Sequence, residues 1–123
     1  MPATMRRTIA LVAVALVTVL VVATLASAAT FRVRAKFTDN GYRWRPKALQ
    51  VPTQSRVVWK MVEGTHNVTS ISNNWNKSSG NIGPGGTTAF TFNKAGVFRY
   101  RCTLHSSLNS GKCSGMCGKV VVG

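Results

Sequence analysis

The stretch Val97-Phe98-Arg99-Tyr100-Arg101-Cys102-Thr103-Leu104-His105 alternates aromatic or sulfur side chains with arginines as far as Cys102. A period of two is the pattern of a β-strand with one dry and one wet face. It sets Phe98, Tyr100 and Cys102 facing a core, and Val97, Arg99 and Arg101 on the opposite side. After ten more residues comes Met116-Cys-Gly118-Lys-Val120-Val-Val122, whose Lys119 to Val122 reads as a closing strand.

The rest of the chain reads the same way. Phe31-Arg-Val-Arg-Ala-Lys-Phe37 alternates apolar and basic residues without a fault. Asp39-Asn40-Gly41 marks a turn, and Pro46 and Pro52 bracket Lys47 to Val51, which suits an edge strand because proline cannot donate to a ladder. Ser55 to Met61 carries Val57, Val58 and Trp59 as a more buried strand. Asn67 to Ile71 is rich in β-branched residues and predicts another. Ser72 to Gly86 is rich in Ser, Asn and Gly and predicts a loop tied down by Trp75 and Ile82. Thr87 to Phe92 alternates again, and Lys94-Ala95-Gly96 turns the chain into the strand quoted first. Seven or so short strands with no helical periodicity predict an all-β fold, an antiparallel β-sandwich with Greek-key connections.

At 123 residues the chain has room for one domain. Its start is of another character. Arg6 and Arg7 precede an uncharged run from Ile9 to Leu25, and Ala26-Ser27-Ala28 offers the small residues a signal peptidase reads. Residues 1–28 are therefore expected to be a signal peptide, and 29–123 the domain. The rival reading is an uncleaved anchor formed by residues 9–29, close to the ~20 apolar residues that span a bilayer. Cleavage is favoured by the A-x-A pattern and by the lack of a basic flank before Phe31. Either way the domain is expected outside the cytoplasm, in the periplasm, at the cell surface or secreted.

Of the net charge of +14, Arg6 and Arg7 belong to the leading segment and +12 remains on the domain, whose acids are Asp39 and Glu63. Such a charge is an argument about partners. Export argues against nucleic acid. It leaves a protein with an acidic docking face, an anionic membrane or a cell-wall surface, or a charge that only keeps a monomer soluble.

The chemistry lies in four residues. Cys102, His105 and Met116 are close in sequence, and His66 stands thirty-six residues before Cys102. The chain holds only two histidines. One thiolate, two imidazoles and a thioether form the ligand set of a mononuclear blue-copper site, soft sulfur serving Cu(I) and imidazole Cu(II). Phe98, Tyr100 and Leu104 are expected to shield it from water. No open coordination position or Ser, His, Asp arrangement suggests hydrolysis, so an enzyme is not expected. The first reading of function is a one-electron carrier. The alternative is a copper-binding or copper-delivery protein without a redox cycle.

From Phe31 to Gly123 the chain resembles a cupredoxin, a type I blue copper protein of the plastocyanin kind. The resemblance rests on Tyr100-Arg-Cys102-Thr-Leu-His105 with Met116-Cys-Gly118-Lys-Val120-Val-Val122, and on Trp44-Arg-Pro46, Leu49-Gln-Val51, Val57-Val-Trp59 and Thr65-His66-Asn67-Val68. It implies His66, Cys102, His105 and Met116 as copper ligands, and Asn67 as the residue that fixes the ligand loop. Two departures stand out. The segment between His105 and Met116 is longer than in plastocyanin-type proteins, which leaves the axial ligand open. That segment also brings Cys113, with Cys117 just after Met116. In an exported protein these two most simply form a disulfide and leave Cys102 unpaired. A five-residue closure is tight, so the pairing turns on the Cα separation. Two cysteines four apart also resemble the binuclear copper loop of cytochrome oxidase subunit II. That centre needs a further histidine, and this chain has Val121 and Val122 there.

Overall fold

The computed structural model describes residues 3, 13–20 and 29–123. Apart from residues 3 and 13–20, the segment read as a signal or anchor lies outside the described residues. Among those described, no helix is long and apolar enough to cross a membrane.

Among the described residues eight strands follow in order: β1 (Thr30–Thr38), β2 (Gly41–Arg45), β3 (Ala48–Val51), β4 (Ser55–Met61), β5 (Thr69–Ser70), β6 (Thr87–Phe92), β7 (Gly96–Asn109) and β8 (Lys112–Val122). They form two four-stranded sheets, ordered β2-β1-β4-β6 and β3-β8-β7-β5. The expected β-sandwich is present. Pairing is mostly antiparallel, but β1 with β4 and β3 with β8 run parallel. β3 lies at a sheet edge, where its flanking prolines are harmless.

Alternation builds the core. In β4, Ser55, Val57, Trp59 and Met61 turn inward while Arg56 and Lys60 stay wet; burying each of the large apolar side chains contributes about 1.5–3 kcal/mol. β1 does the same with Val33 and Ala35, and β7 with Phe98, Tyr100 and Cys102, all buried. The rings of Trp44 and Trp59 pack edge-on against Tyr100 from the facing sheet, at 5.6 and 5.4 Å. Trp75 and Ile82 pack on this core from the long loop, as expected.

Three elements differ from expectation. β2 forms where only a turn was read, because Tyr42-Arg-Trp44-Arg pairs with β1 and buries Trp44. The strand expected over Asn67 to Ile71 shrinks to Thr69–Ser70, because Asn67 spends its side chain on loop contacts and His66 pairs instead with Ile82. The segment between His105 and Met116 is a hairpin rather than a loop: β7 runs to Asn109, and β8 returns from Lys112. Its two central residues, Ser110 and Gly111, have φ of +50° and +78°, the sense of twist that a two-residue hairpin turn requires.

Candidate metal centre

The site forms where the β7–β8 ladder breaks. Pairing runs regularly to Arg101 opposite Cys117, then resumes at Ser106 opposite Gly115. Four residues of β7, Cys102 to His105, thus face Met116 alone. Such an excess bends a strand out of the ladder and re-aims its side chains. It lets Cys102 and His105 point at one spot although they are three residues apart. Gly115 makes the bulge possible. Its φ is +92°, and a Cβ there would come within 2.5 Å of the His105 carbonyl oxygen.

His66 completes a triangle from the chain that follows β4. Its Nδ1 lies 3.1 Å from Nδ1 of His105 and 3.8 Å from Sγ of Cys102, and Cys102 Sγ lies 3.5 Å from His105 Nδ1. A point equidistant from the three atoms is about 2.0 Å from each, close to metal–imidazole and metal–thiolate bond lengths. Cys102 and His66 are fully buried, and His105 is half-buried.

The neighbours prepare these donors. Nε2–H of His66 donates to the Glu63 carbonyl at 2.6 Å, which leaves the lone pair of the neutral ring on Nδ1, facing the gap. Burial pushes the His66 pKa below its ordinary value, with His105 adding to the effect and the Glu63 hydrogen bond opposing it. At neutral pH the ring is therefore an uncharged donor. Gly64 lets the Glu63 carbonyl reach the ring: at φ +77°, a Cβ there would strike the His66 and Tyr42 rings at 2.9 and 2.8 Å.

Asn67 ties this loop to the bulge. Its Nδ2 donates to Thr103 Oγ1, and its Oδ1 accepts from Thr103 N–H. The role implied for Asn67 by resemblance is thus visible as hydrogen bonds. Arg101, just before Cys102, and Ser106, just after His105, are joined through the Ser106 hydroxyl, which also donates to the Cys102 carbonyl.

Met116 is fully buried, and it is the single β8 residue opposite the Cys102 to His105 bulge. Cys113 and Cys117, which flank it, form a disulfide with Cα atoms 6.1 Å apart. Five residues of extended strand would separate those Cα atoms by about 13 Å. β8 is therefore sharply bent between Cys113 and Cys117, where Gly115 has a positive φ, and the disulfide spans the bend. Cys102 is the free cysteine and is buried.

Two site features were misplaced or missed in the sequence. Leu104 is half exposed and does not shield the donors. Tyr42 does so instead, with its ring 4.7 Å from that of His66 and 4.6 Å from that of His105. The parity of Trp44 would have set Tyr42 on the inner face, had β2 been recognised.

The donor set fits copper. Two imidazoles and a buried thiol converge on one point, and the neighbouring strand β8 contributes the buried Met116. Residues 31–123 match the model of the copper binding proteins of the plastocyanin/azurin family. The chain belongs to that family. Its cofactor is copper.

Solved cupredoxin structures are similar in fold. A purple cupredoxin from Nitrosopumilus maritimus is 21% identical, covering 75% of this chain and 98% of its own, with a TM-score of 0.58. Native pseudoazurin from Hyphomicrobium denitrificans is 21% identical over 77% of this chain and 76% of its own, with a TM-score of 0.62. A reduced variant of amicyanin reaches 24% over 82% and 88%, with a TM-score of 0.61. A search of curated proteins returned no match.

Proposed function

We propose that this cupredoxin is an exported one-electron carrier, in which His66, Cys102 and His105 would be the principal ligands of one copper ion and Met116 a weaker fourth. The observation that carries the reading is the triangle of Nδ1, Nδ1 and Sγ, already at coordination distance about a common point. Bound there, copper supplies a Cu(I)/Cu(II) couple.

The protein residues supply the rest. The Glu63 carbonyl and Asn67 hold the donors in one arrangement, so little reorganisation accompanies a change of charge. Tyr42 covers both imidazoles and keeps water and substrates away, which favours electron transfer over catalysis. His105, the most exposed of the three donors, offers the path to a partner. With two acids in the chain, a redox partner with an acidic docking face suits the domain, which works as a monomer outside the cytoplasm.

The test is the fate of the metal on reduction. Copper-loaded protein is cycled electrochemically in the presence of a Cu(I) chelator. A carrier keeps its copper and returns a reversible one-electron wave. A delivery protein surrenders Cu(I) to the chelator and loses the wave, and that outcome would overturn the reading.

A further inference from the structure

The outer face of the first sheet carries a charge pattern that neither the core nor the metal centre explains. Arg32, Arg34 and Lys36 of β1 alternate with the buried Val33 and Ala35, and so point away from the core. Arg34 is directly opposite both Arg45 of β2 and Lys60 of β4, and Lys36 is opposite Arg43. Neighbouring strands lie about 4.8 Å apart, and like charges directly opposite each other are destabilising. Arg56 extends the same face from β4. Both acids of the domain lie off it. Asp39 is in the turn after β1, and Glu63 follows β4, where its carboxylate accepts from Phe37 N–H. A surface shaped only by solubility intersperses the two signs. This one holds Arg34, Arg45 and Lys60 in register, with Val58 between Arg56 and Lys60 and no acid among them.

We propose that this face docks flat on a membrane that bears anionic lipids. Charge complementarity selects an anion, and shape selects a plane. The cations stand on the open face of a sheet at strand spacing, suited to a layer of headgroups. By contrast, the second sheet has a cleft bounded by Lys47, Arg99 and Lys112. The uncharged stretch from Ile9 to Ala29 also immediately precedes β1 in sequence, so the first strand of this face has the shortest tether along the chain to a bilayer if that stretch is retained. The metal centre lies between the sheets, so docking leaves His105 free for a partner. The inference does not depend on the metal.

The test is co-sedimentation of the native-length protein with vesicles of phosphatidylcholine, alone or mixed with phosphatidylglycerol. Binding to phosphatidylcholine alone reports any anchor. The added anionic lipid reports the face, and its effect weakens as salt is raised. A cation at an anionic surface contributes about fivefold, so R34Q/R45Q/K60Q should lose about a hundredfold of the anionic increment. R99Q/K112Q/K119Q removes the same charge from the other sheet and should lose far less. Equal losses, or no response to anionic lipid, would overturn the proposal, as would an unchanged vesicle increment with loss of binding to an acidic wall polymer. Without vesicles, R34Q/R45Q/K60Q should melt at a higher temperature than the parent, because it relieves the opposed cations. A lower melting temperature would refute the charge argument itself.

Discussion

Asn67 and Thr103 join the two halves of the metal centre by a reciprocal pair of hydrogen bonds: Nδ2 donates to Oγ1 at 2.8 Å, and the Thr103 N–H donates to Oδ1 at 3.1 Å. One residue follows His66, and the other follows Cys102. The pair ties together two donor side chains, His66 and Cys102, that are far apart in sequence.

Asn67→Ala should therefore act on both stability and the site. It leaves the Thr103 N–H without its partner, at a cost of about 1–3 kcal/mol. Urea unfolding of the metal-free protein checks the first effect, and weakened copper binding in a chelator competition checks the second. Unchanged copper affinity would mean that the loops are held by other contacts.

The Cys113–Cys117 disulfide closes a short loop, for which chain entropy gives about 2 kcal/mol. The double variant Cys113→Ser, Cys117→Ser should be destabilised by about that amount in denaturant titration. Thiol counting on the unfolded, metal-free chain should find one thiol, and three after reduction.

Acid should destabilise the metal-free protein through His66. Its folded pKa lies below the ordinary 6.5, chiefly because burial disfavours the imidazolium. Between those two values the unfolded chain binds more protons, so stability rises with pH. The contribution is fully present above 6.5 and is lost as pH falls toward the folded pKa. Unfolding free energies measured at a series of pH values should show this slope, and His66→Asn should reduce it.

Met116→Leu removes the thioether proposed as the weak fourth ligand and leaves His66, Cys102 and His105 in place. The optical spectrum of the copper form should persist, and the midpoint potential should rise, since loss of a donor disfavours Cu(II) more than Cu(I). Voltammetry decides it. An unchanged potential would remove Met116 from the coordination sphere.

Much of this architecture is written in simple alternation. Phe31 to Phe37, Ser55 to Met61 and Val97 to Cys102 each present one face to the core, and the structure follows their parity. The convergence of His66, Cys102 and His105 was legible because few residue types can hold copper, and the chain has two histidines. The misreadings arise where long-range pairing overrides local pattern. Ser106 to Asn109 lacks apolar alternation and becomes strand only because Lys112 to Gly115 returns alongside it; Ser110-Gly111 was the available turn signal. Leu104 looks like a shield by composition, but the bulge turns it outward and leaves Tyr42 over the histidines.

The central claim is that a single buried thiolate, with two imidazoles, makes the copper site. Titrating Cu(II) into the metal-free protein and recording the optical spectrum tests it most directly. The account predicts an intense thiolate-to-copper charge-transfer band that saturates at one copper per chain and is absent from Cys102→Ser. No such band in the parent, or the same band in Cys102→Ser, would contradict it.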